Sequence, residues 1–362
     1  MKTSSWSTVS EIASTIKPPS EQWRAAARRR LDSLTKPPGS LGMLEDIAAQ
    51  MVSIRRERSA HPLRKAVYIF AADHGITAER VSAYPSEVTR QMVLNFLAGG
   101  AAINVLARLH HVEMKVVDVG VNADFHAGDG LLSRKVRKGT RNMLFEAAMS
   151  EEELTQALNV GLALAAQAKA RGECLLAVGE MGIGNTTAAS AITSALSNTP
   201  IALVTGNGTG LTPHAKAHKQ QVIEAVLQKH FAARGPNAKA EPLEILQCVG
   251  GLEIAALAGL ILGAAQQEIP VVADGFISTA AAAIAFAIAP QVRSYLFAGH
   301  QSEEPGHRVL LEYIGLRPIL SLNMRLGEGT GAVLAMPIIE SAMLLYNEMA
   351  TFASAGISEA KE

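Results

Sequence analysis

"CLLAVGEMGIGNTTAASAITSAL", residues 174–196, changes character twice. It opens on a short apolar run, 174–180, of the kind found in strands covered on both faces. A glycine-rich turn follows, and then a stretch of Thr, Ala, Ser and Ile of helical length. Strand, tight turn and helix together make one βα unit.

The same alternation recurs on both sides of this unit. Further strands are predicted at 66–73, 114–120, 201–206, 269–275 and 294–300. Helical stretches are predicted at 86–110, 151–171, 186–197, 214–230, 251–267 and 276–289. Such alternation implies an α/β fold, with a parallel sheet and helices on both of its faces. Nearly every strand ends in a small or polar cluster: "ADHG", "DVGVN", "GEMGIGN", "TGNGTG", "ADGF", "AGHQS". Ligands of open α/β sheets bind outside the carboxyl ends of the strands, so this rim is the expected site.

The chain ends differ from the middle. Residues 1–34 and 305–362 read as helical with no strand between, and "TKPPGSLG" (35–42) is a connector. The expectation is a large α/β domain over 30–328 and a small helical domain built from 1–29 and 329–362.

Bulk composition excludes several classes. The 33 basic and 33 acidic residues cancel, which removes any global electrostatic case for nucleic acid or an acidic membrane. Two cysteines, Cys174 and Cys248, make no disulfide framework and fit free thiols in a reducing cytoplasm. The opening residues have no apolar core of a secretory signal. The most apolar region, 249–290, is broken into pieces near or below the ~20 residues that span a bilayer, and reads as buried helices.

"GEMGIGNTTAAS" (179–190) has a P-loop outline, with Gly179, Gly184 and Thr186 in place, but Asn185 stands where the lysine should be. That argues against a nucleoside triphosphate. Backbone N–H groups at a helix start suffice for a smaller anion; a plain glycine turn with a threonine cap is the competing reading. In "TGNGTGLTPHAKAHK" (205–219) the spacing Gly206-x-Gly208-x-Gly210 is not the dinucleotide fingerprint. Lys216 and Lys219 follow on a helix, either as phosphate ligands or as solvated side chains. Asp73-His74 is a poor metal pair without an HxH, HExxH or CxxC partner, so no metal site is expected. There is no Gly-x-Ser-x-Gly elbow and no Cys/His set for a nucleophile. In "MRLGEGTGAV" (324–333), Glu328 stands between two glycines, either to meet a ligand at close range or to cap the next helix.

Taken together, "GEMGIGNTTAAS", "AADHGI", "TGNGTG", "ADGF", "GHQSEEPG" and "MRLGEGTGAVLAMP" resemble the nicotinate-nucleotide–dimethylbenzimidazole phosphoribosyltransferase family, from about residue 20 to about residue 350. The resemblance implies a Rossmann-like sheet, a small domain from both chain ends and a cytoplasmic homodimer. The implied reaction moves phosphoribose from nicotinate mononucleotide to 5,6-dimethylbenzimidazole, giving α-ribazole 5′-phosphate and nicotinate in assembly of the cobalamin nucleotide loop. The implied general base is Glu328. Inversion at C1′ releases nicotinate with a neutral ring nitrogen, so the only proton to move is the N–H of the incoming ring. One base suffices, and no metal or other cofactor is expected.

The resemblance carries other positions over. Gly182, Gly184, Asn185 and Thr186 fall at the nucleotide phosphate, with Gly208, Lys219 and Ser302 also on the nucleotide. Glu180 either holds the ribose or orders the site. Tyr84 and Gln91 fall in the benzimidazole pocket, and Gly327 and Gly329 leave room for the flat ring. Rival readings remain. A diphosphate-donor phosphosugar transferase would need adjacent acids before a Thr-Gly loop, which are absent. A non-catalytic sensor of a nucleotide or cobamide precursor would have no need of Glu328. The preferred ring, and whether a dimer partner completes the site, stay open.

Overall fold

Alternate side chains of one strand, Lys65–Ala72 (β1), enter two different cores, as the period of two requires. Ala66, Tyr68, Phe70 and Ala72 pack on one side. Val67, Ile69 and Ala71 pack on the other. The structure, a computed structural model, describes residues 7–57, 63–126, 130–208, 210–234 and 240–358.

Around β1 lies a sheet of seven strands, every pairing parallel: Glu113–Gly120 (β2), Leu132–Ser133 (β3), Leu175–Met181 (β4), Val271–Ala273 (β5), Leu296–His300 (β6) and Pro318–Leu320 (β7). The order is β3-β2-β1-β4-β5-β6-β7. The chain therefore builds outward from β1 to β3, returns to lay β4 beside β1, and builds the other way. The crevice at the carboxyl ends of β1 and β4 is the switch point where such sheets hold ligands. At that end of β1 the pairing with β2 shifts between Ala71 and Ala72, just before Asp73.

One prediction fails outright. Residues 201–206 are not a strand; Ile201–Val204 is a single helical turn entered from Pro200. A central parallel strand needs both faces covered, and Leu203 is 61% exposed. The sequence reading also missed β3 and β7, which are too short to give a period. β7 lies inside 305–362, read above as free of strand. It opens on Pro318 at the sheet edge, where the missing N–H costs no ladder bond. The stretch 86–110 is two helices, Glu87–Leu97 and Ala102–Leu109, parted at Gly99 with φ +79°.

On the first face, helix Leu252–Gln266 lies against helix Glu151–Ala170 with backbones touching. A Cβ on Gly161 would stand 2.0 Å from the Ala256 carbonyl oxygen, and one on Gly259 would stand 2.1 Å from that of Leu158. This pair and the largely buried Phe276–Ile288 make the apolar stretch 249–290 core. On the second face lie Glu21–Asp32, Met43–Arg55 and Thr330–Glu348. There the chain ends meet. Leu34 bridges to Thr351, and the Arg30 guanidinium donates to the carbonyls of Tyr346 at 2.8 Å and Asn347 at 2.9 Å.

Candidate functional site

β4 delivers the first wall. It ends on Gly179-Glu180-Met181 and turns through Gly182–Gly184 into helix Asn185–Ser197. Gly184 sits at φ +93°, which a side chain would strain. The turn rests on a buried pair, His74 Nε2 and Glu253 Oε1 at 2.5 Å. A Cβ on Gly182 would lie 2.5 Å from the Ala72 carbonyl and 3.2 Å from that Glu253 oxygen. Asp73 and His74 are thus built into the floor beneath the turn. Asn185, in the place of a P-loop lysine, turns back and donates from Nδ2 to Glu180 Oε2. Burial, then the Glu253 and Asp274 carboxylates, push Glu180 up to about 8, so it is protonated at neutral pH.

The second wall is the segment that carries Glu328. Gly327, Glu328 and Gly329 all lie in the left-handed region, at φ +86°, +64° and +85°. For Glu328 that conformation costs about 1 kcal/mol, so its neighbours must impose it. Asp274, one residue past β5, does so: Oδ2 accepts from the Gly329 N–H at 3.1 Å and Oδ1 from the Ala332 N–H at 2.9 Å. The Thr330 hydroxyl closes the turn on the Gly327 carbonyl at 2.8 Å. The segment lies on β4 where Gly179 gives it room; a Cβ there would stand 2.6 Å from Glu328 backbone atoms. A Cβ on Gly327 would stand 2.6 Å from Glu180 Oε1. The glycines around Glu328 thus have a definite structural reason: a left-handed turn pressed against β4 and Glu180.

The Glu328 carboxylate is buried. It accepts from the Ile103 N–H in the first turn of helix Ala102–Leu109, whose N-cap Ala101 has no side chain able to do so. Among the described residues its Oε2 has no partner. Burial raises its pKa, the Ile103 bond opposes this, and the Asp274 charge adds to the rise.

The third wall comes from the second glycine turn, of which Thr209 lies outside the described residues. Gly208 donates its N–H to Glu304 Oε1 at 2.9 Å, and Arg325 reaches the Gly208 carbonyl at 3.4 Å. Lys219 is 0% exposed, and its Nζ donates to Thr186 Oγ1 at 2.7 Å. Burial lowers its ammonium to about 8 against the pull of Glu304. Lys216 is half-buried on the same helix.

These walls enclose a cavity of about 400 Å³. Tyr84, Glu180, Gly182, Asn185, Thr186, Gly208, Ser302, Gly327 and Glu328 line it, as do Val88, Met92, Phe276, His300, Glu304, Arg325 and Leu326. Gly184, Lys219 and Gly329 stand behind the lining. Gln91 is exposed on helix Glu87–Leu97, which turns Val88 and Met92 to the cavity. Tyr84 is 53% exposed at the edge. Asp274, His300, Glu304 and Arg325 received no role from the sequence. Asp274 and His300 close predicted strands, and that position was the available signal.

Comparison with known proteins agrees with this geometry. A family model described as "Phosphoribosyltransferase" matches residues 16–357. The nicotinate-nucleotide–dimethylbenzimidazole phosphoribosyltransferase of Geobacter sp. (strain M21) is 52% identical over 343 residues, covering 95% of this chain and 97% of that protein. The protein of the same name from Geobacter sulfurreducens is 52% identical over 351 residues, covering 97% and 98%. The crystal structure of CobT from Thermus thermophilus superposes with a TM-score of 0.88 at 48% identity, over 94% of this chain and 100% of that one. With identity at this level along almost the whole length, and the motif-bearing segments gathered at one cavity, the chain belongs to the nicotinate-nucleotide–dimethylbenzimidazole phosphoribosyltransferase family.

Proposed function

We propose that this enzyme transfers 5-phosphoribose from nicotinate mononucleotide to 5,6-dimethylbenzimidazole, with inversion at C1′ and Glu328 as general base. The observation that carries this is the placement of Glu328. Its carboxylate is held at one oxygen, unpartnered at the other among the described residues, raised in pKa, and shares a cavity with a glycine turn that opens a helix. A base with a raised pKa is better matched to work near neutrality. The glycine turn and helix start at Gly182–Thr186 suit a phosphate, with Lys219 behind Thr186. Val88, Met92 and Leu326 supply apolar surface for a planar ring. The acceptor ring attacks C1′ from the face opposite nicotinate; its N–H passes to Glu328 while nicotinate leaves with a neutral ring nitrogen. In this reading the enzyme is a cytoplasmic homodimer, as the family resemblance implies. Incubation with nicotinate mononucleotide and 5,6-dimethylbenzimidazole, without added metal, should give α-ribazole 5′-phosphate and nicotinate by mass spectrometry. Absence of both products would overturn the assignment of substrates.

Lys219 gives a separate prediction. The ammonium is charged below about pH 8 and neutral above it, so nucleotide binding should weaken as pH rises through 8. Lys219→Met should raise KM for the nucleotide at least ~10-fold, since it removes the buried positive charge behind Thr186 and the proposed phosphate turn. It should also remove the alkaline limb of the pH profile. A limb that persists in the variant belongs to Glu180, which titrates in the same range.

A further inference from the structure

One buried hydroxyl joins two walls of the cavity. In the glycine turn, the N–H groups of Asn185 and Thr187 go to carbonyls of the turn itself, Gly182 at 3.1 Å and Gly184 at 2.9 Å. The N–H of Ile183 leaves the turn and donates to Thr89 Oγ1 at 3.1 Å, 94 positions earlier in the chain. Thr89 is fully buried in the first turn of helix Glu87–Leu97. Val88 beside it and Met92 three residues on line the cavity, as do Gly182, Ile183, Asn185 and Thr186 from the glycine turn. A buried helical threonine has a simpler way to satisfy its hydroxyl. Thr193 returns its own to the Ala189 carbonyl, four residues back on the same helix. Thr89 spends its hydroxyl across the fold instead.

The hydroxyl also faces the Asp73 carboxyl and favours its charged form. Asp73 is itself fixed in place. Its Oδ2 accepts from the Asn122 N–H at 2.7 Å, its carbonyl from the Thr140 N–H at 3.0 Å, and its N–H donates to the Gly120 carbonyl at 3.0 Å. A hydroxyl beside a carboxylate can give its proton there and keep its lone pairs for an N–H. Thr89 is thus held between the end of β1 and the glycine turn. Transfer requires the ring nitrogen and C1′ to meet in a near-attack geometry, and a misplacement of about 1 Å costs on the order of 10²-fold. The phosphate is placed on one wall and the ring on the other, so whatever fixes the spacing of the walls fixes that distance. We infer that Thr89 is a positioning residue: by tying Ile183 of the glycine turn to the helix that carries Val88 and Met92, it keeps the donor in register with the acceptor ring. This rests on the transfer reaction proposed above for which substrate lies on which wall.

Two variants separate the hydroxyl from the methyl group. Thr89→Val keeps the volume and loses the hydroxyl; Thr89→Ser keeps the hydroxyl and loses the methyl. In steady-state assays well below the melting midpoints, Thr89→Val should lower kcat at least ~10-fold while KM for either substrate changes less than about 3-fold. Thr89→Ser should stay close to the parent. A packing role predicts the reverse ranking, with Thr89→Ser the more damaged, and that ranking overturns the inference. So does a Thr89→Val variant with parental kcat. Should Thr89→Val fail to fold, Thr89→Ala against Thr89→Ser repeats the comparison, since those two differ only in the hydroxyl. Amide hydrogen exchange gives a readout that needs no turnover. Nicotinate mononucleotide, without acceptor, should slow exchange over 87–97 in the parent and Thr89→Ser but not in Thr89→Val. Slowing that survives in Thr89→Val, or is absent from the parent, overturns the inference. Product from the parent without any dependence on the hydroxyl sinks only the positioning role. Hydroxyl-dependent slowing with no product from the parent sinks only the transfer reading.

Discussion

Glu328→Gln should lower kcat at least ~10²-fold, the lower range for removal of a general base. The variant should fold normally. A glutamine oxygen still accepts the Ile103 N–H, and Gly329 and Ala332 keep their bonds to Asp274. KM for the nucleotide should change little, because the carboxylate is assigned to the proton of the acceptor ring. The pH profile gives a second readout. The base works only when deprotonated, and its pKa is raised by burial. In the parent, kcat/KM should therefore fall as pH drops through a value above the ordinary glutamate range. The variant should lack that acidic limb. Steady-state rates across pH for both proteins decide it. Similar rates would remove Glu328 from the proton transfer, and an acidic limb that persists in the variant would assign the titration elsewhere.

Gly327→Ala should be nearly as damaging, although it deletes no functional group. At φ +86° the new side chain is strained, at about 1 kcal/mol. Its Cβ would also lie 2.6 Å from Glu180 Oε1, closer than real contacts allow. Glu180 is buried and bonded to Asn185, so it cannot retreat cheaply. The turn must lift, and the Glu328 carboxylate moves with it. A displacement of about 1 Å at a reacting group costs on the order of 10²-fold. Gly39→Ala is the control: φ is +75°, but no atom lies within 4 Å of the added Cβ. It should cost a similar strain energy in thermal melting and leave kcat/KM intact. Equal activity loss in both variants would show that strain, rather than the Glu180 contact, is responsible.

The turns of this site are legible in the residues alone; the roles given to Glu328 and the other side chains come from the family resemblance. The glycine turns, the Asn-Thr-Thr helix start and the carboxylate between glycines are local features, and close backbone approach demands small residues at fixed spacing. The sheet is legible because buried parallel strands read as continuous apolar runs. "IALV" misleads for the same reason: four apolar residues can open a helix after proline as readily as a strand, and only the exposure of Leu203 decides. β3 and β7 carry too few residues to show a period. Asp274, His300 and Glu304 act across the fold, on partners such as Gly329, Ala332 and Gly208 that lie far away in sequence. Nothing in their neighbours' spacing reports that. Gln91 enters through the family resemblance alone; on its helix Val88, three residues earlier, lines the cavity, while Gln91 is exposed.

The bonds from Asp274 to Gly329 and Ala332 set an order of assembly. A nascent chain emerges from its amino end, so the residues of β4 and of the glycine turn have been made well before residue 328. Glu328 is locked only when residue 332 has reached a carboxylate made 58 positions earlier. Glu328, proposed above as the base, is therefore among the last residues of the cavity to be made, and a chain halted short of it would carry the Gly182–Gly184 turn without that carboxylate.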